Sequence, residues 1–159
     1  ALYPQLNFSP TNEANLWALM IILLKLPNDK IPHFMRMWKN SNAMERQVAD
    51  IVAFFDLISS HAPNNYDLYK AGLETIVSTI DLAHILGQPV NGRALVDSYE
   101  ALPIKNNRDL VVDGHFLLKN GIPAGPRVGL LLEEIKKAVL EGVISNNEAA
   151  ITEFISLNN

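Results

Sequence analysis

The sequence predicts an all-α fold, with a multi-helix body followed by a small helical tail that carries a helix-hairpin-helix-like element. Three observations lead there. Apolar residues recur at three- and four-residue spacing through most of the chain. No stretch alternates apolar and polar residues as a half-buried strand would. Capping residues, glycines and prolines divide the chain at intervals suited to helices.

Asn12 or Thr11 is placed to cap a first helix over residues 12–26, which Pro27, Asn28 and Asp29 interrupt. Its apolar stretch, 16–24, ends at Lys25 and falls short of the roughly 20 residues of a membrane span, so a buried helix is expected. Residues 30–38 read as a short helix with Pro32 in the first turn, where a missing amide costs little. His33, Arg36 and Lys39 with Phe34 and Trp38 could meet a nucleic acid or a partner groove. The alternative is an amphipathic core helix that buries Phe34, Met37 and Trp38. Ser41 lies close to a capping-box spacing from Glu45 and opens a helix to about 60. Val48, Ile51, Val52, Phe55 and Ile58 form its apolar stripe. A turn cluster at 61–65 precedes a long helix over 67–86, closed by Gly87 and Pro89. Asn91 caps the next helix, 92–100, and Leu102-Pro103 ends it. The boundary between body (1–102) and tail (103–159) is placed there.

The tail starts with a polar, turn-rich segment at 105–108. Asp113 is placed to cap a short helix over 114–119. Residues 121–125 form a tight connection, and Pro126 is suited to the first position of a helix running to about 141. Val128, Leu131, Leu132, Ile135 and Val139 make its core face. Glu133 and Lys137 form a solvent-side pair worth roughly 0.2–0.5 kcal/mol. Gly142 is a stop, and Asn146 caps a final helix to about 157.

Composition narrows the function. The chain has 159 residues, 48% of them hydrophobic, enough for one core or two small ones. It has no cysteine, which excludes a disulfide scaffold and a cysteine-based zinc site and suits a reducing cytoplasm. Neither a membrane span nor a signal segment is recognisable. His33, His61, His84 and His115 show no metal-ligand spacing. A net charge of -4 means that any contact with a nucleic acid must be local, because phosphate neutralisation supplies much of that affinity.

The segment 113–141 is where such a contact fits best. A short helix, a glycine-bearing turn and a second helix resemble the helix-hairpin-helix devices that hold nucleic-acid backbones. A helix N-terminus has unpaired amides and a partial positive charge, so it can receive a phosphate. Gly121 and Gly125 allow close approach, Arg127 and Val128 can offer amides, and Arg127 can add a bidentate contact. Lys105, Arg108, Lys119 and Arg127 are the leading phosphate contacts, with Lys136 and Lys137 adding to the basic tail. The alternative is a merely structural αα turn with solvated lysines. Asp109 and Asp113 could suggest paired carboxylates, but a loop position and a helix cap explain them better.

The same segment carries a family resemblance. Leu102-Pro103-Ile104-Lys105 is followed by Arg108-Asp109-Leu110 and Asp113-Gly114-His115-Phe116-Leu117-Leu118. Gly121-Ile122-Pro123-Ala124-Gly125-Pro126-Arg127-Val128-Gly129 comes next, and Val139-Leu140-Glu141-Gly142 leads to Asn146. This order is similar to the tail of bacterial CCA-adding enzymes and the related poly(A) polymerases. Ala124 stands where the family commonly has proline, and Gly125 and Pro126 are kept. Leu16-Trp17-Ala18-Leu19 and Ser41-Asn42 are similar to the body of those enzymes.

The resemblance implies a parent that adds nucleotides from CTP and ATP to tRNA 3′ ends, releasing pyrophosphate. Its catalytic head, with a Gly-Ser strand and paired aspartates holding Mg2+, and its Glu-Asp…Arg neck have no counterpart here. The start at Ala1, without an initiator Met, fits a chain that begins after them. No cofactor and no chemistry are therefore expected of this chain, whose implied role is to grip the acceptor stem and TΨC arm of tRNA, possible homodimerisation aside. A helical protein-interaction or dimerisation module without RNA binding is the alternative.

Overall fold

The computed structural model describes residues 12–157, and among them it contains eight α-helices and no strand. The helices are α1 (Glu13–Leu24), α2 (Ile31–Met37), α3 (Asn42–Ser60), α4 (Asn65–Ile85), α5 (Gly92–Glu100), α6 (Gly114–Lys119), α7 (Pro126–Leu140) and α8 (Glu148–Leu157). Short 3₁₀ turns lie at Asn28–Lys30 and Asn107–Asp109. The all-α expectation holds.

Local chemistry sets most of the helix starts. The Asn12 side chain accepts from the Asn15 amide (2.8 Å), and Asn91 and Asp113 do the same for Ala94 and Phe116. Thr11, the other candidate first cap, lies outside the described residues. Ser41 accepts from Met44, the third helical residue; Glu45 is one position too far for a capping box and pairs with Arg36 instead (3.6 Å). A full capping box forms where none was expected. Asn64 accepts from the Asp67 amide, and Asp67 accepts from the Asn64 amide. This starts α4 at Asn65 rather than at 67.

Four further expectations are corrected. First, α4 is not continuous: Gly72 sits at φ 73°, ψ 159°, a conformation open essentially to glycine, and the helix kinks there. Second, α1 is buried on one face only. Ala14, Ala18, Leu19 and Ile21 point inward, while Leu16 and Leu24 are exposed. Third, α2 buries Ile31 and Met35, whereas Met37 and Trp38 are 67% and 62% exposed. At about 100° per residue Met37 turns away from the Ile31/Met35 face, and Trp38 already lies beyond the helix. Fourth, Asn147, not Asn146, caps α8 by accepting from the Ala150 amide (2.9 Å). Asn146 is occupied elsewhere: its amide donates to the Asp109 carbonyl (2.7 Å) and its oxygen accepts from the Val111 amide (3.1 Å).

Two hydrophobic cores result. The first joins α1, α2 and α3 to the end of α4, through residues such as Ile21, Met35, Ile51, Phe55 and Leu82. The second gathers α6, α7, α8 and the 102–112 segment around Leu117, Ile135 and Ile151. It also takes Phe54, Leu68, Ile76 and Tyr99, which precede Pro103. Each fully buried side chain of this size contributes about 1.5–3 kcal/mol.

Helix α5 is seated on α4 at its first residue. A Cβ added to Gly92 would stand 2.6 Å from Ile80 Cγ2, a branched methyl that cannot swing aside. Gly92→Ala should therefore lower stability by about 1–3 kcal/mol in urea denaturation. An unchanged or raised midpoint would show that Ile80 repacks and that α5 does not depend on this close approach.

Candidate nucleic-acid interface

The hairpin between α6 and α7 is anchored from below and open above. The Asn120 amide closes α6 by donating to the Phe116 carbonyl (3.1 Å). The Ile122 amide reaches back to the Leu117 carbonyl (3.1 Å), and the buried Ile122 side chain pins the turn to the second core. Gly125 then caps α7 at φ 146°, with nothing within 4 Å of the position its Cβ would take. The cap brings no side-chain acceptor, Pro126 fills the first helical position, and the first turn holds no acidic residue. The Val128 amide donates to the Gly125 carbonyl (3.1 Å), so it is engaged within the turn, and its side chain is half-buried. Lys119 and Arg127 are exposed at the two helix ends.

The 105–109 loop is built around one carboxylate. Asp109 Oδ2 accepts from the backbone amides of Lys105 (2.8 Å) and Asn106 (3.1 Å), and the Asn106 side-chain amide donates to the same group (2.9 Å). The Lys105 N–H first, then Asn106, hold the Asp109 carboxyl below its usual range. Asp109 is thus an organiser of the loop, and Asn146 ties the loop to the α7–α8 connection. Arg108 is exposed in the 3₁₀ turn. Lys105 Nζ meets Glu100 (2.6 Å) and lies 6.0 Å from the centre of the Tyr99 ring.

These residues divide between two places. Lys105 opens with Asn106 and Asn107 onto a cleft of ≈ 400 Å³ that Tyr66, Tyr69, Lys70, Glu133 and Lys136 also line. Gly125, Arg127 and Val128 stand at the beginning of α7, and Lys119 at the end of α6. Lys136 follows Pro126 by ten residues, about 15 Å along the helix axis at 1.5 Å per residue. Tyr66, Tyr69 and Lys70 were not singled out from sequence, although their spacing puts them on one side of a helix.

The expected Glu133–Lys137 pair is replaced. Glu133 binds Lys136, three residues on, and accepts from the Tyr66 hydroxyl (3.1 Å). Lys136 is only 7% exposed, because α7 turns it toward α4 rather than to solvent. The Lys136 hydrogen bond holds the Glu133 carboxyl low, while burial, then Glu133, raises the Tyr66 phenol. Among the described residues no group of three or more His, Asp or Glu side chains could hold a metal ion.

Comparison with known proteins places this architecture. The family model described as "tRNA nucleotidyltransferase domain 2 putative" matches residues 8–155. The chain belongs to that family. The CCA-adding enzymes of Lactobacillus johnsonii and Lactobacillus gasseri are 98% identical over 158 residues and 90% identical over 159 residues. These alignments cover 99% and 100% of this chain, and 40% of each relative. That of Streptococcus uberis is 34% identical over 140 residues, covering 87% of the chain and 34% of that enzyme. The crystal structure of the Bacillus stearothermophilus CCA-adding enzyme in complex with CTP superposes with a TM-score of 0.84 at 28% identity. That match covers 94% of this chain and 39% of the other. This member of the tRNA nucleotidyltransferase family therefore spans about 40% of the length of the lactobacillar relatives it matches.

In this family member the Asp109 carboxylate should titrate below the free-aspartate value of about 3.9. With a folded pKa depressed below the unfolded one, its contribution to stability is present above the unfolded value and lost as pH falls through the folded one. A carboxyl-detected NMR titration of wild type and Asn106→Ala checks this. The variant's midpoint should move back up toward the free value, and an unmoved midpoint would deny the loop its role.

Proposed function

We propose that this chain is the C-terminal, tRNA-gripping portion of a CCA-adding tRNA nucleotidyltransferase. The family match over residues 8–155, in relatives two and a half times as long, carries the reading. The motifs that the resemblance assigns to catalysis have no counterpart in the sequence. Nucleotide addition from CTP and ATP, with its Mg2+, belongs in this reading to the remainder of the parent, in the cytoplasm. Residues 1–102 form the body and 103–159 the tail. The tail meets the acceptor stem and TΨC arm by backbone contacts, since the deep, narrow major groove of duplex RNA hides its base edges. The α6–α7 hairpin serves as a helix-hairpin-helix-like device: Gly125 and Val128 shape the turn, Arg127 and Lys119 reach phosphates, and Lys105 and Arg108 extend the contact along the loop.

One observation favours a second reading, a protein-interaction or dimerisation surface. Trp17, Phe34 and Trp38 pack at ring-centre distances of 6.0–6.5 Å on the first core, and Trp38 is left largely exposed beside Met37. Large exposed aromatics are common at interfaces. Among the described residues no helix is long and apolar enough to cross a membrane.

Binding of tRNA minihelices, followed by anisotropy, tests the main reading. Arg127→Ala should weaken minihelices of different stem sequence by similar factors and flatten the salt slope by about one unit. Its circular dichroism should stay native, because the side chain is exposed. Wild-type chain that ignores minihelices at low salt but dimerises by light scattering would replace RNA gripping with the second reading.

A further inference from the structure

The cleft between α4, α7 and the 105–109 loop collects positive charge in an acidic protein. Lys70, Lys105 and Lys136 line it against one carboxylate, Glu133, while the whole chain carries -4. Lys137, on α7, stands outside that lining, over the ring of Tyr66. Each of the four ammonium groups is laid over a tyrosine ring: Lys137 and Lys70 lie 4.9 and 5.7 Å from the centre of Tyr66, Lys136 5.5 Å from Tyr69, and Lys105 6.0 Å from Tyr99. The rings are held in turn, since the Tyr66 hydroxyl donates to Glu133 and the Tyr69 hydroxyl to Asn107 Oδ1 (2.9 Å).

This arrangement goes further than a helix interface needs. Lys136 and Glu133 already neutralise one another, as do Lys105 and Glu100. Among the described residues, neither Lys70 nor Lys137 forms an ion pair within 4.0 Å. Both are exposed. Glu133 feels the charge of Lys137 without pairing with it, and two lysines restrained on an aromatic face lose less side-chain entropy on meeting an anion than free surface lysines would. Asn106 and Asn107 add polar groups along the same wall.

We infer that this lysine–tyrosine cleft is a second phosphodiester site, gripping the sugar-phosphate backbone of the same RNA about 15 Å along α7 from the hairpin. The inference rests on the RNA-gripping reading and adds to it a separate contact made chiefly by Lys70 and Lys137. Lys136 acts as a positioning residue. Its removal would strand Glu133, so it is a poor probe.

The 159-residue chain is titrated with a fluorescent acceptor–TΨC minihelix over a salt series. The test variant is Lys70→Gln/Lys137→Gln. The charge-matched control is Lys30→Gln/Arg93→Gln, two exposed cations away from the cleft. The cleft variant should bind roughly tenfold more weakly near 0.1 M salt, with a slope shallower by about two units, while the control changes little. Thermal unfolding should be near wild type, as both lysines are exposed. Equal losses in variant and control overturn the site in favour of diffuse electrostatics. An unmoved cleft variant beside a weakened Arg127→Ala overturns the cleft and leaves the RNA-gripping reading standing. Lysine-dependent binding of inorganic triphosphate, with RNA affinity unchanged, makes it a free-polyphosphate pocket instead. Wild-type chain without RNA affinity removes both the cleft and the reading beneath it.

Discussion

Both hydrophobic cores close on the α3–α4 hairpin, because each of these helices is apolar on two sides. Phe54 and Phe55 are adjacent in sequence, about 100° apart around α3, and they enter different cores. On α4, Leu68 and Ile76 serve the second core and Leu82 and Ala83 the first. Helices α1 and α2 cover one flank of this hairpin, and α6, α7 and α8 cover the other. A helix with a single apolar face could not join the two. The kink at Gly72 re-aims α4 partway along, between the turn that carries Tyr66 and Tyr69 and the turns that enter the first core.

Polar groups fasten the end of α7 and the 105–111 segment beside the second core. The Asn65 side chain donates to the Leu140 carbonyl (2.7 Å), satisfying one of the groups left open at the end of α7. Asn146 bridges the 109–111 backbone, and Asp109 gathers the amides of its own loop. The bonds made by the neutral Asn65 and Asn146 side chains contribute about 0.5–1.5 kcal/mol each, modest alone. Together they decide how the 105–109 loop faces α4 and α7, and so where Lys105 points. The basic surface proposed to meet RNA is thus held by particular amides, carboxylates and tyrosines rather than by a general excess of positive charge, which the composition does not provide.

Several features were legible because they depend on neighbours in the chain. Asn91, Asp113 and Pro126 mark helix starts through their own side chains, and residues 114–119 and 126–140 follow from them. Val48, Ile51, Val52 and Phe55 are buried as their spacing requires. Failures came where a distant partner competed for a residue. Asn146 looks like a cap, but Asp109 and Val111 use both ends of its side chain, and Asn147 takes the capping position. Lys136 looks like a solvated lysine, yet Tyr69 and Glu133 draw it inward. Trp38 looks like core but falls just beyond the helix that would have buried it.

The sequence by itself determined the all-helical class, most helix limits, the absence of cysteine chemistry and the motif order that marks the family. Those properties reside in residues at fixed short separations, so spacing alone expresses them. Tertiary structure decided which faces of α3 and α4 meet which core, and that Lys105 shares a cleft with Lys70 and Lys136 instead of standing at the hairpin turn. It also decided that Gly72 breaks a helix whose residues on either side continue in helical form. Such outcomes depend on contacts between segments tens of residues apart, where many pairings satisfy the local preferences and packing selects one.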